Sequence, residues 1–463
     1  MSFIDYAVIV LYIVVFVGIG IYVTKKNVKS AKDFATAGQG LSLGMVVGST
    51  VATCMGASII FGNYQLVFDS GMQGMITNVF WNVGWMFLVI MSGRMRATGA
   101  SSIPMFIEKT YGKTARQIAS YAVLCMGVSS TAAQFKAVGS MTAALGLCDA
   151  TTGILIGAVI IVLFTVFSGL YGVALTDTIQ SIMIVVTVGA IIPVTATVLA
   201  GGPAAAFNAI EPGALSLSGG GMTAGVMLGY ILSNMFSCGC HPAYAQRSLA
   251  AKDNKVAVKG QLIACILCLI ITFVAAWPAF FGRTLFPNMV DGSQFIPTFI
   301  ATYFPPILKG LALAILLGLL LTSGDTFLLL LSSTATEDII RPAKPDIDEK
   351  KLLKIGRGVV VIGAIVIVCL ALYIPTITDL FKIGGSAFGC CVFFPCLFGC
   401  FWKKVNKQAV TLSMLVCCPL SILWDLFLKN ATGQSGSLIA GITSLVICVV
   451  GSLILNSRQK QTA

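Results

Sequence analysis

The chain has little charge and a single histidine. Asp, Glu, Lys and Arg make up 10% of its 463 residues, whereas soluble domains carry roughly 25%. Since 57% of the residues are hydrophobic and the mean hydropathy is +0.95, little room is left for a soluble domain. We therefore predict an all-α polytopic membrane protein. A lone histidine excludes a metal site built from several histidines. His-Glu-x-x-His, Gly-x-Ser-x-Gly and P-loop motifs are also absent from the sequence, so we predict no enzyme.

Acidic residues are scarcer than basic ones, 17 against 29. A positive balance can indicate a nucleic-acid partner, but here the basic residues lie in short loops between apolar segments, where they set membrane topology. We therefore predict a lipid bilayer as the partner, and no nucleic acid. The 15 cysteines lie mostly within apolar segments, so we predict small core residues rather than disulfides or metal ligands.

Thirteen apolar segments are long enough to span a bilayer at roughly 20 residues each. They cover residues 5–24, 42–67, 72–92, 117–146, 152–171, 175–200, 223–246, 260–282, 307–334, 356–376, 379–402, 408–428 and 434–456. Lys25 and Lys26 follow the first segment rather than precede it, which indicates a transmembrane helix and not a signal peptide.

Lysine and arginine are distributed unequally between the two sets of alternate loops. One set, together with the C-terminal tail, carries 24 of them, and the other carries only Arg283, Lys309, Lys382 and Lys429. The positive-inside rule therefore predicts a multi-pass protein of the cell membrane with its N-terminus outside and its C-terminus in the cytoplasm.

Two predicted spans are interrupted by polar or helix-breaking residues. The second contains Gly-Asn-Tyr-Gln at 62–65, and the seventh contains Ser-Cys-Gly-Cys-His-Pro at 237–242. Broken helices at corresponding places in two halves predict an inverted-repeat transporter whose site lies near the bilayer midplane. The predicted parts of this single transmembrane domain, 1–463, are an extra helix at 5–24, a first repeat at 42–200, a second repeat at 223–402 and C-terminal helices at 408–456.

The stretch LLTSGDTFLLLLSSTATED (320–338) places hydroxyls and a carboxylate inside an apolar segment. An ionisable side chain in a membrane helix costs about 2.5–3.5 kcal/mol and marks a candidate ion or substrate pathway. Thr322, Asp325 and Thr326 are spaced i, i+3 and i+4, so they share one helix face. Oxygen-bearing groups on one face suit a small hard cation such as sodium.

Five motifs, in order along residues 5–430, resemble the sodium:solute symporter family. They are KSAKDFATAGQGLS (29–42), SGLYGVALTDTIQ (168–180), HPAYAQRSLAAKDNKVAVKG (241–260), SSTATEDI (332–339) and GCFWKKVNKQA (399–409). The resemblance implies the leucine-transporter fold, with a 5+5 inverted repeat, and sodium as the coupling ion.

The same resemblance implies a principal sodium site between the second and ninth spans. Its ligands would be the backbone carbonyls of Ala52, Met55 and Leu319 and the hydroxyls of Thr322 and Ser323.

Some members of the family hold a second sodium ion, and the matching residues here are Asp177, Asp325 and Thr326. The sequence departs from the family at Asp325, because those relatives carry a hydroxyl there. Two neighbouring carboxyls could bind sodium, share a proton or form a structural pair, and these three alternatives stay open.

Candidate substrate groups lie in the second to fourth spans. Lys136, the sole Lys or Arg in the middle of a span, could pair with an anionic solute or with a membrane carboxylate such as Asp177. The remaining candidates, which could line a polar cavity or bond between helices, are Asn63, Tyr64, Gln65, Gln73 and Asn78. His241 could sense pH or orient the broken seventh span, and Arg247, Lys252 and Lys255 are interpreted as topology charges.

Together these patterns predict a sodium-coupled symporter that imports a small polar solute by alternating access. Lys136 favours a carboxylate-bearing solute. The alternatives are a neutral sugar, polyol or other uncharged metabolite, a proton-coupled version, or a membrane sensor acting with a separate partner. No obligate protein partner is evident from the sequence.

Overall fold

The computed structural model describes residues 2–27, 37–167, 170–218, 221–374 and 377–462. The motif residues at 29–36 and 168–169 therefore lie outside the described residues. The α-helices are α1 Phe3–Asn27, α2 Leu43–Cys54, α3 Asn63–Ala97, α4 Ile103–Tyr111, α5 Lys113–Ala144, α6 Ala150–Phe167, α7 Leu170–Val186, α8 Ile192–Leu199, α9 Pro203–Asn208, α10 Ala224–Gly239, α11 Pro242–Leu249, α12 Asn254–Phe280, α13 Gly282–Leu285, α14 Phe295–Tyr303, α15 Leu308–Ser333, α16 Arg341–Ala343, α17 Glu349–Tyr373, α18 Ile377–Phe401, α19 Lys407–Leu423, α20 Lys429–Thr432 and α21 Gly436–Thr462.

The predicted all-α membrane class is confirmed. Nine helices in the described part of the chain are long and apolar enough to cross a membrane, and three shorter apolar helices accompany them. A helix lies within each of the thirteen predicted spans, although the number of crossings stays a prediction. All fifteen cysteines are free, and ten of them are buried, as expected of small core residues.

The first broken helix confirms an interruption in the second span but corrects its position. Helix α2 ends at Cys54, and a π-helical segment, Ser58–Gly62, leads directly into α3. The predicted interruption at residues 62–65 is wrong, because Asn63 is helical (φ −68°, ψ −43°). The break lies at Met55 and Gly56, where the Ala57 amide donates to the side-chain Oε1 of Gln134 (3.0 Å) rather than to its own helix.

Helix α3 reverses direction at Gly71, which separates the predicted second and third spans. Gly71 has φ 53° and ψ −127°, a conformation that disfavours residues with a Cβ atom. The next amide, Met72 N, donates to Ala214 O (2.7 Å). The turn is therefore held by the segment between α9 and α10.

The seventh span is broken where the sequence predicted. Helix α10 ends at Gly239, Cys240 has non-helical dihedral angles (φ −138°, ψ 31°), and α11 starts at Pro242. Proline suits the first turn of a helix because its missing N–H would have no intrahelical partner there. Both helix breaks therefore lie in the protein interior, where Met55, Cys240 and His241 are buried.

The helices around the two breaks form two packed groups. Helices α2, α3, α10, α11 and α12 pack against one another, and α5, α6, α15 and α17 do the same. Helix α15 is buried along nearly its whole length and also contacts α2. The line between the two groups therefore passes between α2 and α15.

Candidate functional site

The five residues predicted for the principal sodium site lie at or next to the contact between α2 and α15. We call their predicted ligand atoms the oxygen cluster, namely the carbonyl oxygens of Ala52, Met55 and Leu319 and the hydroxyls of Thr322 and Ser323. All five residues are buried. The Ser323 Oγ–Ala52 O distance is 3.5 Å, and the Thr322 hydroxyl donates to Leu319 O at 3.2 Å.

The oxygen cluster owes its shape to the break after α2. Met55 N still donates to Val51 O (3.0 Å), but the Ala57 amide turns to Gln134. A Cβ atom added at Gly56 would lie 2.8 Å from Ser323 Oγ and 2.9 Å from Gln134 Nε2. A glycine is therefore needed for the two helices to approach this closely. Neutral carbonyl and hydroxyl oxygens in a buried cluster suit a small hard cation.

Gln134 was missed by the sequence analysis. Its side chain is buried and anchors the broken end of α2 from α5. The available signal was an amide in the middle of an apolar span, two residues before Lys136. An uncharged amide in such a position is common enough between membrane helices that it does not stand out.

A charged cluster lies one helical turn away on both α2 and α15. It consists of Ser49, Asp177, Arg247 and Thr326. Asp177 Oδ2 accepts from the Ser49 hydroxyl (2.7 Å) and from an Arg247 Nη2 proton (3.2 Å). Arg247 also donates to Ser49 Oγ (2.7 Å), Thr326 Oγ1 (2.9 Å) and Ala243 O (2.9 Å).

Arg247 is not a topology charge, and that interpretation is wrong. Its side chain is fully buried and forms an ion pair with Asp177. Helix α11 delivers it there, because the break at Cys240 and His241 turns the chain back towards α7 and α15. Lys252, by contrast, is exposed. The partner of Asp177 is therefore Arg247 and not Lys136.

Asp325 is fully buried beside the charged cluster without joining it. Neither carboxylate oxygen has a hydrogen-bond partner among the described residues. The Thr165 hydroxyl on neighbouring α6 donates to Ile161 O (2.8 Å). Of the three residues predicted for a second cation, Asp177 and Thr326 contact one guanidinium group, and Asp325 does not.

Lys136 lies on the face of α5 that is turned away from the oxygen cluster. Its Nζ donates to Ala371 O (3.2 Å) and Ile374 O (2.7 Å) at the C-terminal end of α17. Gln134, two residues earlier, faces the broken end of α2, and residues two apart on a helix point to roughly opposite sides. A cation at the C-terminus of a helix is stabilised by the unpaired carbonyls there.

The substrate-binding side chains predicted near the start of α3 lie in two different environments. Asn63 Oδ1 accepts from Asn78 Nδ2 (2.5 Å), and the Tyr64 ring stacks on Phe295 at 5.6 Å. Gln73 instead bonds to the segment before α10 through Leu217 O (2.7 Å) and the Met222 amide (2.9 Å).

Two of these side chains have buried polar atoms that form no hydrogen bond with the described residues. The buried Asn63 Nδ2 and Tyr64 Oη have no hydrogen-bond partner among the described residues, and Gln65 is half-buried. Hydrogen-bonding capacity of this kind is what a polar solute needs.

His241 lies in an aromatic cluster at the second break. Its ring stacks on Tyr244 (3.9 Å between centroids) and meets Trp81 edge-on (5.6 Å). Tyr244 in turn stacks on Trp85 (4.5 Å). Neither His241 nitrogen has a hydrogen-bond partner within the described chain.

The comparisons with known proteins agree with this architecture. A sequence model described as the sodium:solute symporter family matches residues 34–417. The chain is 26% identical over 431 residues to the sodium/pantothenate symporter of Haemophilus influenzae, which covers 88% of this chain and 87% of that protein. It is 25% identical over 488 residues to the sodium/glucose cotransporter of Vibrio parahaemolyticus, which covers 93% and 86%.

The fold is also shared with a solved structure. The chain superposes on a Na+-coupled sialic acid symporter in a substrate-bound outward-open state with a TM-score of 0.80. Sequence identity is 17%, and the match covers 98% of each chain. The predicted leucine-transporter fold, with broken helices in the second and seventh spans, is thereby confirmed.

Proposed function

The chain belongs to the sodium:solute symporter family, and from this we propose that it imports a small polar solute by binding sodium at the oxygen cluster. The family and its relatives are membrane transporters coupled to sodium, not enzymes.

One contact carries the proposal for the ion site. Ser323 Oγ on α15 lies 3.5 Å from Ala52 O at the broken end of α2, and these helices belong to the two packed groups. A sodium ion held by both would tie the groups together. Alternating access in inverted-repeat transporters is largely the movement of one such group against the other. Sodium binding at this contact would therefore favour one arrangement and order the neighbouring solute site.

The residues of the oxygen cluster determine how much charge moves across the membrane with each bound ion. The cluster contributes no charged side chain, so a bound sodium ion brings a net positive charge into it. Moving one charge across 100 mV releases about 2.3 kcal/mol. At 1.4 kcal/mol per tenfold, that energy sustains a solute gradient of roughly fortyfold.

For the solute, we propose an uncharged polar metabolite such as a sugar or polyol. The expectation of a carboxylate depended on Lys136, whose ammonium group is directed at the end of α17 and away from the break. Asn63 and Tyr64 offer neutral hydrogen-bonding groups instead. A carboxylate-bearing solute remains the second candidate, since the names of relatives include pantothenate and sialic acid.

We further propose the topology from the charge distribution. The N-terminus would lie outside and the C-terminus in the cytoplasm of the cell membrane. The repeats would comprise residues 42–200 and 223–402, with 5–24 and 408–456 added at the ends. Reporter fusions at the two termini test this orientation, and activity of the outward reporter at the C-terminus would contradict it.

Thermal unfolding of the purified protein tests ion and solute together. A ligand that binds only the folded state raises the midpoint by mass action, so sodium should raise it relative to choline. Ser323→Ala should abolish that shift. Ser333→Ala is the matched control, because its hydroxyl bonds only within α15, to Leu330 O (3.1 Å).

A solute library measured with sodium present then separates the solute classes. Sugars and polyols should add a further shift, and carboxylates should not. Equal shifts in sodium and choline, or a sodium shift that survives in Ser323→Ala, would contradict the proposed site.

A further inference from the structure

We infer that helix α1 clamps α15, and that Asp5 is a positioning residue for sodium binding because its carboxylate holds the strained turn from which α15 starts. The inference rests on the proposed function, since it assumes that α15 contributes to the sodium site. Helix α1 ends at Asn27, before the residues 34–417 that the family model matches.

One face of α1 is buried against neighbouring helices. Asp5, Ile9 and Tyr12 are buried, and their spacings of four and three residues place them on one helix face. Leu11 and Val14 are exposed, and α1 packs on α15, α7 and α6. An acidic side chain is costly in an apolar membrane helix, so the groups that hydrogen-bond to Asp5 show why it lies on the buried face.

The Asp5 carboxylate joins the start of α1 to the start of α15. Its Oδ2 accepts from the Ser2 amide (2.8 Å) and the Ser2 hydroxyl (2.9 Å). Its Oδ1 accepts from the amide of Ile307 (3.1 Å), directly before α15. The two backbones also approach closely, because a Cβ atom added at Gly310 would lie 2.8 Å from both Cα and O of Asp5.

The turn that Asp5 holds is strained. Ile307 has φ 73° and ψ −58°, close to the classic γ-turn, which is rare, and a β-branched residue with positive φ is an outlier. Such a conformation persists only where the surroundings fix it. The Ile307 side chain is 58% exposed, so its own packing does not fix the turn. The Ile307 carbonyl accepts from Leu311 N (2.8 Å), and the turn therefore sets the direction in which α15 begins.

A second contact between the two helices lies next to the oxygen cluster. A Cβ atom added at Gly318 would lie 2.7 Å from Tyr12 Oη and 2.8 Å from Gln180 Nε2. Gly318 directly precedes Leu319, whose carbonyl is one of the proposed sodium ligands. Helix α1 thus contacts α15 at its first turn and again at the turn that leads into the oxygen cluster. Because α15 is a continuous helix between these contacts, a shift at its start changes the position of the ligand atoms.

The sodium affinity of the purified full-length protein tests this inference. Thermal unfolding at increasing sodium concentrations, relative to choline for each variant, separates affinity from stability. A helix cap contributes a free energy equivalent to about 2- to 30-fold in an equilibrium constant, so Asp5→Ala should weaken sodium binding about three- to tenfold. Glycine adopts positive φ without strain, so adding Ile307→Gly to Asp5→Ala should restore the affinity to within about twofold of wild type.

Asp149→Ala is the matched control. Asp149 is exposed, and its Oδ2 accepts from Thr152 N (3.0 Å) in the first turn of α6. This variant therefore also loses a carboxylate that accepts an amide at the start of a helix, but it should leave the sodium affinity unchanged.

The possible outcomes are distinguishable. Equal sodium affinity in wild type and Asp5→Ala would overturn the inference and leave the proposed function intact. A loss that Ile307→Gly does not restore would also overturn it, because Asp5 would then support the fold without acting through the turn. A folded wild-type protein that does not respond to sodium would overturn the proposed function itself. If Asp5→Ala does not fold, Asp5→Asn, which keeps an acceptor oxygen, should give a smaller loss that Ile307→Gly again restores.

Discussion

The oxygen cluster and the charged cluster occupy successive turns of the same two helices, but only the charged cluster contains charged side chains. On α2 they use Ala52 and Ser49, three residues apart, and on α15 they use Ser323 and Thr326, also three apart. The oxygen cluster has acceptors and no cation of its own. The charged cluster has a carboxylate and an arginine that neutralises it.

This difference indicates which cluster exchanges an ion with solution. A buried ion pair is retained because breaking it leaves charges unpaired. A buried group of neutral oxygens carries no such penalty, so a small cation can enter and leave it. We therefore propose the oxygen cluster as the reversible ion site, and Asp325, the acidic residue that stands out in the sequence, lies outside it.

The largest effect is expected from breaking the ion pair of the charged cluster. Arg247→Met should lower the free energy of unfolding by about 3–5 kcal/mol, because Asp177 would stay buried without its partner. Titration with a denaturing detergent in mixed micelles measures this. Lys252→Met, an exposed position on the same stretch, is the control and should change little.

A second substitution checks that the loss comes from the pair. Asp177→Asn combined with Arg247→Met should recover part of the stability lost in Arg247→Met alone, because no charge is then left unpaired. If the two losses simply add, the two side chains do not depend on each other.

The next effect is expected from filling the space between the helices at the oxygen cluster. Gly56→Ala would place a Cβ atom 2.8 Å from Ser323 Oγ, and overpacking of this kind costs about 1–3 kcal/mol. Sodium should then bind at least tenfold more weakly. Thermal unfolding at increasing sodium concentrations measures this affinity.

Gly363→Ala is the matched control for that variant. A Cβ atom at Gly363 meets nothing within 4 Å, so this change should leave sodium binding intact and slightly favour the helix. An unaltered sodium response in Gly56→Ala would mean that α2 and α15 do not hold the ion between them.

A smaller effect should distinguish the two carboxylates. Asp325→Asn removes a charge that has no hydrogen-bond partner in the described structure, so it should cost less than about 1 kcal/mol or stabilise the protein. Asp177→Asn leaves Arg247 unpaired and should cost several kcal/mol more. Equal losses in the two variants would show that Asp325 has an essential partner.

The smallest effect is expected at Lys136. Lys136→Met removes a cation from the end of α17 and should cost about 0.3–1 kcal/mol. Solute binding, followed by the thermal shift that each solute produces, should be unchanged. Loss of binding for carboxylates alone would restore Lys136 as a recognition group.

Much of the fold follows from local patterns in the sequence. Apolar segments of membrane-spanning length predicted the helices, and Gly239 and Pro242 predicted the second break, since both act on the backbone beside them. The first break could not be found in this way. Met55 and Gly56 lie in an apolar run, and the amide freed there is satisfied by Gln134, almost eighty residues further along the chain.

Arg247 illustrates the same limit for side chains. It stands among Lys252, Lys255 and Lys259 in a stretch that resembles a basic loop, and only the direction of α11 after the break carries it inwards. A charged residue that follows a broken helix can therefore be buried in the core. Its distance from the break indicates whether it is buried better than the charges of its sequence neighbours do.

The burial of α15 has a consequence for the lipid environment. This helix carries hydroxyls of both clusters, and it is enclosed by protein along almost its whole length, whereas fewer than a third of the residues in the apolar parts of α17, α19 and α21 are buried. A bilayer that is thicker or thinner than these outer helices prefer would tilt or stretch them first, at a fraction of a kcal/mol per Å. The proposed ion site on α15 is thus separated from the lipid by a layer of helices, and we expect sodium affinity to vary less between lipids than overall stability does.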